Sequence, residues 1–403
     1  MRVRMNLIKG AAASIALLLL LLPVSSPDRA AAQEGSPEAP PGAPKLNAGS
    51  WALIDADSGL YLAGKDPDER VPVASTTKIM VALVAFDEGV DLGEQVTVSE
   101  DAAAYAGSIY SNVGLYPYDR VSVGDLLTAT LVPSGTDAVY ALTEHLGDGS
   151  VDEFVARMND KAEELGLENT HFENPAGIDA RGNYSSAADL ATITREAMKH
   201  PEFRKIVDDP EATISTQDRE IDVFTTNLLV APGSGLDYGP ATGVKTGTSP
   251  QAGPCLVASA TSGDESYISV VLDAAEDLQR FEAGRTALEY GFGEYESEPL
   301  VEREDPYAEV ELPYRRGETV KLVAAKDVSA LAGPGLKVER RTTKEEAPPS
   351  AKTGSELGTV TVSVEGRNVG SSPLVVQKGY EEASLWQKVT YLAGGLKRWI
   401  LSR

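Results

Sequence analysis

Three short runs in this chain offer hydroxyls, in two of them beside an amine, at spacings that could do acyl-transfer chemistry. The first is Ser75-Thr76-Thr77-Lys78, a serine and a lysine three residues apart at the start of an expected helix. That spacing lies on one helix face, so the amine can reach the hydroxyl. A serine hydroxyl is a weak nucleophile until a neighbouring base takes its proton. Lysine can be that base once burial or a nearby cation lowers its pKa. A helix N-terminus at the same place adds partial positive charge and N–H groups for a developing oxyanion. The spacing alone is unspecific, because a chain of this composition holds about one Ser-x-x-Lys by chance. Ser75 as a helix N-cap with Lys78 in solvent accounts for the same letters.

The second run, Ser134-Gly135-Thr136, falls in a turn between two helical patterns. A loop hydroxyl there could relay a proton, although Ser-Gly turns are mostly structural. The third, Lys245-Thr246-Gly247-Thr248, lies on an expected strand entered from Gly243-Val244. A cation, hydroxyls and a position without a side chain on a strand edge suit gripping a peptide carboxylate. Lys352-Thr353-Gly354 repeats the letters inside KEEAPPSAKTGSE, with no strand before it, and is expected to be a loop.

Other chemistries are argued against by composition. The 403 residues carry 36 Lys plus Arg against 61 Asp plus Glu, a net charge of −25, and such a surface repels nucleic acid. His145, His171 and His200 stand far apart with no Cys/His cluster, so no metal site or metal cofactor is expected. The single cysteine, Cys255, can form no internal disulfide and reads as a small buried hydrophobe.

The elements that must hold these residues can be traced by period. Residues 51–62 read as two strands around an Asp-Ser-Gly turn. Helical patterns follow after Ser75, over 126–131, 138–146 and 151–165, and over 186–198 with Ser185 or Ser186 as N-cap. Strands return at 243–246, 256–260 and 267–272, then a helix over 283–290. This is an α+β arrangement with a helical insertion, assigned to residues 47–298. Residues 299–383 hold short β-like segments at 307–312, 319–324, 336–341, 358–364 and 374–377, a small β-rich domain without visible chemistry.

The ends carry different information. Arg2, Arg4 and Lys9 precede an apolar run over 11–24, and Ala30-Ala31-Ala32 offers a cleavage site. Residues 1–32 therefore read as a signal peptide, too short in its apolar part to span a bilayer of about 20 helical residues. Residues 33–46 form a Pro/Gly/Glu linker. At the other end, residues 384–403 set Leu385, Trp386, Val389, Leu392, Ala393, Leu396, Trp399 and Ile400 on one helical face, opposite Lys388, Lys397 and Arg398. A helix lying in a membrane interface fits that pattern, and so does a terminal helix packed on its own domain.

The order of the three runs narrows the choice. Ser-x-x-Lys, a serine turn 59 residues on and Lys-Thr-Gly 111 further form the sequence signature of penicillin-recognising serine enzymes. PVASTTKIM, LLTATLVPSGTDAVYALTEH, NPAGIDARGNYSSAADLA and GVKTGTSPQAGPCLVASAT resemble the D-alanyl-D-alanine carboxypeptidases, the low-molecular-mass penicillin-binding proteins, from about residue 47 to 292. That resemblance implies a β-lactamase/transpeptidase-like fold: an antiparallel sheet with flanking helices and a helical subdomain, followed by an all-β domain. It implies Ser75 as acylated nucleophile, Lys78 as its base and Ser134 as proton shuttle. Lys245, Thr246 and Thr248 would engage substrate, with the Ser75 and Thr248 N–H groups as oxyanion hole and Lys245 helping to keep Lys78 neutral. Arg280, counted back from Tyr290-Gly291-Phe292, matches the family's carboxylate-binding arginine, with Arg285 as competitor. Thr136 stands where the family's turn carries asparagine, so turnover or substrate preference is expected to differ.

The expected reaction is removal of terminal D-alanine from peptidoglycan stem pentapeptides, with β-lactams as inhibitors and no cofactor. The expected place is outside the cytoplasmic membrane, in periplasm or cell-wall space, held peripherally by the C-terminal helix. A β-lactamase-like hydrolase is the enzyme alternative, though no Glu-x-x-Leu-Asn segment is present. A catalytically weak penicillin- or peptidoglycan-binding module is the other.

Overall fold

The computed structural model describes residue 40 and residues 42–401, so the expected signal segment and most of the linker lie outside it. Strand β1 (Ala48–Asp55) turns back into an antiparallel β2 (Tyr61–Lys65). The turn is closed by the Asp55 carboxylate, which accepts the Ser58 N–H at 2.7 Å. A 3-10 turn at Ala74–Thr77 leads into α1 (Lys78–Asp87). The helical block continues with β3 (Gln95–Thr97), α2 (Glu100–Ala103), β4 (Arg120–Ser122), α3 (Val123–Leu131), α4 (Thr136–Leu146) and α5 (Val151–Glu164). It ends with α6 (Ala187–Ala197), α7 (Pro201–Asp208) and a hairpin of β5 (Glu211–Ser215) and β6 (Glu220–Phe224). Serine caps start several of these helices: the hydroxyls of Ser122, Ser150 and Ser186 accept the N–H of Asp125, Glu153 and Asp189.

The chain then returns to the first hairpin. Strands β7 (Ala241–Ser249), β8 (Gly253–Ser262) and β9 (Glu265–Ala274) complete an antiparallel sheet in the order β2-β1-β9-β8-β7, and α8 (Gln279–Glu294) closes it. Central strands carry apolar residues on both faces. Ala52, Ile54, Val257, Ile268, Val270 and Leu272 join the core under the helical block. Their neighbours Trp51, Leu53, Leu256, Ala258 and Val271 join a second core under α8. The alternation has period two, so one strand serves two layers of helices.

The second core runs on into the C-terminal part. There β11 (Pro306–Glu311), β12 (Thr319–Ala324), β16 (Arg367–Val376), β15 (Glu356–Val364) and β14 (Val338–Lys344) form a five-stranded sheet in that order. Beside it β10 (Glu296–Val301) pairs with β13 (Val328–Ala332). The expected segments fall on the five-stranded sheet. The β10–β13 pair was not anticipated, because acidic residues and Pro299 mask the former and the latter is short. Tyr295 bolts the two parts together: it is 1% exposed, and its hydroxyl donates to the carbonyl of Leu62 (2.9 Å) or Pro334 (3.1 Å). Beyond the sheet, α9 (Leu385–Leu401) ends the described chain.

Candidate active site

Ser75 sits on the 3-10 turn just before α1, behind Ala74 in the left-handed region at φ +47°. Its expected alternative role as helix cap does not occur. The N-cap of α1 is Thr77, without a side-chain cap bond, and Lys78 is fully buried rather than solvated. The Lys78 amine donates to Ser75 Oγ at 2.9 Å, and lies 3.4 Å from both Ser134 Oγ and the Ala176 carbonyl. Burial lowers its pKa from the usual lysine value to about 7, against the opposing pull of the Asp137 carboxylate. A neutral amine in hydrogen-bond contact with a serine hydroxyl is what a general base requires.

Ser134 occupies the turn between α3 and α4, also in the left-handed region at φ +68°. Backbone strain of that kind costs about 1–3 kcal/mol per residue and persists only where packing imposes it. The next residue but one, Thr136, begins α4 and lines the cleft.

The opposite wall is β7. Lys245 and Gly247 face Val257 and Cys255 across the β7–β8 pair, so they project on the side of the helical core, toward Ser75. Gly247 leaves no room for a side chain: a Cβ there would stand 2.9 Å from the Val73 carbonyl and 3.0 Å from the Ser75 nitrogen. Thr248, the next residue on β7, also lines the cleft. Lys245 is 1% exposed, and its amine donates to the Thr246 carbonyl at 3.0 Å. Its pKa is driven well down by burial first, then by the charges of Lys78 and Arg280. The like-charge effect expected on Lys78 thus falls on Lys245, while burial alone accounts for the lowering at Lys78.

Arg280, rather than Arg285, reaches the site. Its Nη1 lies 2.7 Å from Thr248 Oγ1 and 3.1 Å from the Gly247 carbonyl. Arg285 stays exposed on α8, paired with Glu289 and set over the Tyr238 ring. Thr246 Oγ1 shares a 2.5 Å hydrogen bond with Thr226 Oγ1. The second Lys-Thr-Gly, at 352–354, lies in a turn outside any strand, as expected.

The cleft holds a cavity of about 310 Å³ lined by Ser75, Thr136 and Thr248 and by two further segments, the second within the NPAGIDARGNYSSAADLA run. One is Ile109-Tyr110-Ser111. The other is 176–179, in which Gly177, at φ +74°, passes so close that a Cβ would meet the Ala74 carbonyl at 1.8 Å. Asn-Pro followed by Gly signals a turn there, but nothing local says that its carbonyl faces Lys78. Cys255 is wholly buried in β8, and burial pushes its thiol up to about 12.

An antiparallel sheet flanked by helices, with a half-buried serine against a buried lysine in the cleft, defines a serine-dependent acyl-transfer enzyme. The chain belongs to the D-alanyl-D-alanine carboxypeptidase family, whose model matches residues 36–276. The model of the penicillin-binding protein 5 C-terminal domain matches residues 295–382. A D-alanyl-D-alanine carboxypeptidase of Bacillus subtilis, DacF, is 33% identical over 87% of this chain and 89% of its own. Another, DacC of Escherichia coli, is 33% identical over 95% of this chain and 94% of its own. The structure of penicillin-binding protein 5 from Haemophilus influenzae superposes with a TM-score of 0.64 at 31% identity, over 84% of this chain and 99% of that one. The fold is therefore the α+β transpeptidase-like one with an all-β C-terminal domain, and the enzyme is a serine carboxypeptidase. These matches favour that expectation over a β-lactamase-like hydrolase or a catalytically weak binding module.

Proposed function

We propose that the protein removes the terminal D-alanine from peptidoglycan stem pentapeptides through an acyl-enzyme on Ser75. The observation that carries this is the buried Lys78 amine, 2.9 Å from Ser75 Oγ. Neutral Lys78 takes the Ser75 proton as Oγ attacks the carbonyl carbon of the D-Ala-D-Ala bond. The N–H groups of Ser75 and Thr248 receive the oxyanion, each such donor contributing about 3 kcal/mol. As the C–N bond breaks, the proton passes from Lys78 through the Ser134 hydroxyl, 3.4 Å away, to the departing amine. Free D-alanine leaves. Water then loses a proton to Lys78 and attacks the ester, and Ser75 recovers that proton as it departs.

The terminal carboxylate is held on the β7 side. Because Arg280 donates to Thr248 Oγ1, the Thr248 hydroxyl keeps its own proton for the substrate. Thr246 offers a second hydroxyl, Lys245 a buried amine donor, and Arg280 supplies positive field against a protein of net charge −25. Thr136 faces the peptide from across the cleft and bears on substrate preference. β-Lactams acylate Ser75 by the same route and depart slowly.

The reading extends to location. Residues 1–32 would direct export and then be removed, with residues 33–46 as a linker. Residues 47–298 would be the catalytic domain and 299–383 a spacer. The helix over 384–403 would rest on the outer face of the cytoplasmic membrane. No helix among the described residues is long and apolar enough to cross a membrane.

The test uses protein lacking residues 1–32 and 384–403 beside its Ser75→Ala variant. Both are given diacetyl-Lys-D-Ala-D-Ala and, separately, a fluorescent penicillin. D-alanine release and labelling, both lost in the variant, are expected. Labelling without release would confine the protein to penicillin binding, and folded protein giving neither signal would sink the proposal.

A further inference from the structure

Asp137, the second residue of α4, has no exposed surface. Its carboxylate accepts the N–H groups of Val113 at 3.1 Å, Gly114 at 2.9 Å and Leu115 at 3.0 Å, and that of Ala138 in its own helix at 2.9 Å. The adjoining N–H of Thr136 donates to the Ser111 carbonyl at 2.7 Å. Ile109, Tyr110 and Ser111 form one wall of the cleft, so these bonds tie that wall to the helix that starts just after Ser134.

Helix capping alone does not require this side chain. One acceptor satisfies the Ala138 N–H, whereas three of the four bonds go to a segment more than twenty residues upstream. Burying an ionised carboxylate costs several kcal/mol unless it is compensated. The four N–H groups and the α4 N-terminus provide that compensation. The carboxylate so held is also near enough to act electrostatically on the Lys78 amine.

We propose that Asp137 is a positioning residue of the active site: it holds the 109–115 wall of the cleft through its N–H bonds, and its negative charge faces the Lys78 amine. This rests on Lys78 being the general base for Ser75. The groups around that amine are Asp137 from α4, Lys245 from β7 and the neutral hydroxyls of Ser75 and Ser134, with Arg280 of α8 acting on Lys245. Burial drives the amine toward the neutral form and Asp137 opposes it. One side chain therefore shapes the wall and sets how much neutral base is present.

The two effects separate by substitution. Asp137→Asn keeps the size but loses the charge and one of the two accepting oxygens, so the pH limb alone reports the charge, whereas Asp137→Glu keeps the charge and displaces the N–H contacts. The readouts are kcat and KM for D-alanine release and the rate of penicillin labelling, each followed from pH 5.5 to 9 in the wild type and both variants. In the wild type the acid limb should turn near pH 7. In Asp137→Asn it should move down by about half a pH unit or more, because more acid is needed to charge Lys78 without its anion. In Asp137→Glu the limb should stay and KM should rise several-fold. An acid limb unmoved in Asp137→Asn, with activity lowered equally at every pH, would reduce Asp137 to a structural residue and overturn the proposal. So would a limb displaced equally in Asp137→Glu. Failure of the underlying reaction reads out separately, as absence of wild-type release and labelling.

Discussion

Lys78 and Lys245 are among the largest fully buried side chains of the protein, and both would be charged in water. Folding holds Lys78 at a pKa of about 7, against 10.5 for the free side chain. Between those two values the unfolded chain binds a proton that the folded chain does not, so stability rises as pH climbs from about 7 to 10.5. Below pH 7 both states are protonated and the full penalty of a buried cation remains. At about 1.4 kcal/mol per pKa unit, the burden at neutral pH is on the order of 4 kcal/mol. Lys78→Met fills the same space without charge and relieves Lys245 as well. Urea unfolding should therefore show the variant more stable than the wild type at pH 7, with the gap closing toward pH 10, although the variant cannot be acylated. A gap of the same size at both pH values would mean that charge burial is not its source.

Three elements hold the site: the 3-10 turn at Ala74–Thr77, the turn before α4, and β7. Their fit depends on Gly247, whose missing side chain lets β7 approach the Ser75 nitrogen. Gly247→Ala would set a methyl 2.9 Å from the Val73 carbonyl and 3.2 Å from Ala74 Cβ, neither of which can swing away as a flexible side-chain end could. We expect penicillin acylation to slow by about 100-fold or more, since small misplacements of reacting groups carry losses of that size. Labelling within a few-fold of the wild type would show that the strand can retreat freely. Much of this frame was legible in the chain. The serine cap before α6, the strand-like runs of β8 and β9, and the ordered runs at Ser75, Ser134 and Lys245 are local signals. What stayed hidden depends on approach through space. The Ala176 carbonyl meets Lys78 across 98 residues of chain, and Asp137 gathers N–H groups from a segment with no pattern of its own. Arg280 and Arg285 differ in which face of α8 they occupy, and the phase of that weakly amphipathic helix could not be fixed from its letters.

At the scale of the whole molecule, α9 shows two unlike faces. One is held on the turn between β11 and β12. Lys388 pairs with Glu382 and lies over the Tyr314 ring, Tyr391 meets Tyr314 edge-on at 5.9 Å, and Gly394 leaves room for the Arg316 guanidinium. On the other face Leu385 is 83% exposed, Trp386 76% and Leu392 62%. A helix merely packed on its own domain would hide these side chains, and each would gain about 1.5–3 kcal/mol if fully buried. Only part of that is available at a lipid interface, which suits reversible peripheral attachment. With one face held, attachment would also fix the orientation of a cleft tied to the β-domain through Tyr295. Deleting residues 384–403 should therefore abolish co-sedimentation with anionic liposomes while leaving tripeptide hydrolysis unchanged. Trp386→Ala with Leu392→Ala should weaken it about ten-fold or more, and high salt should weaken it less, because the apolar face carries the larger share. Undiminished sedimentation of the truncated protein would place the attachment elsewhere, and binding lost to salt alone would make it electrostatic.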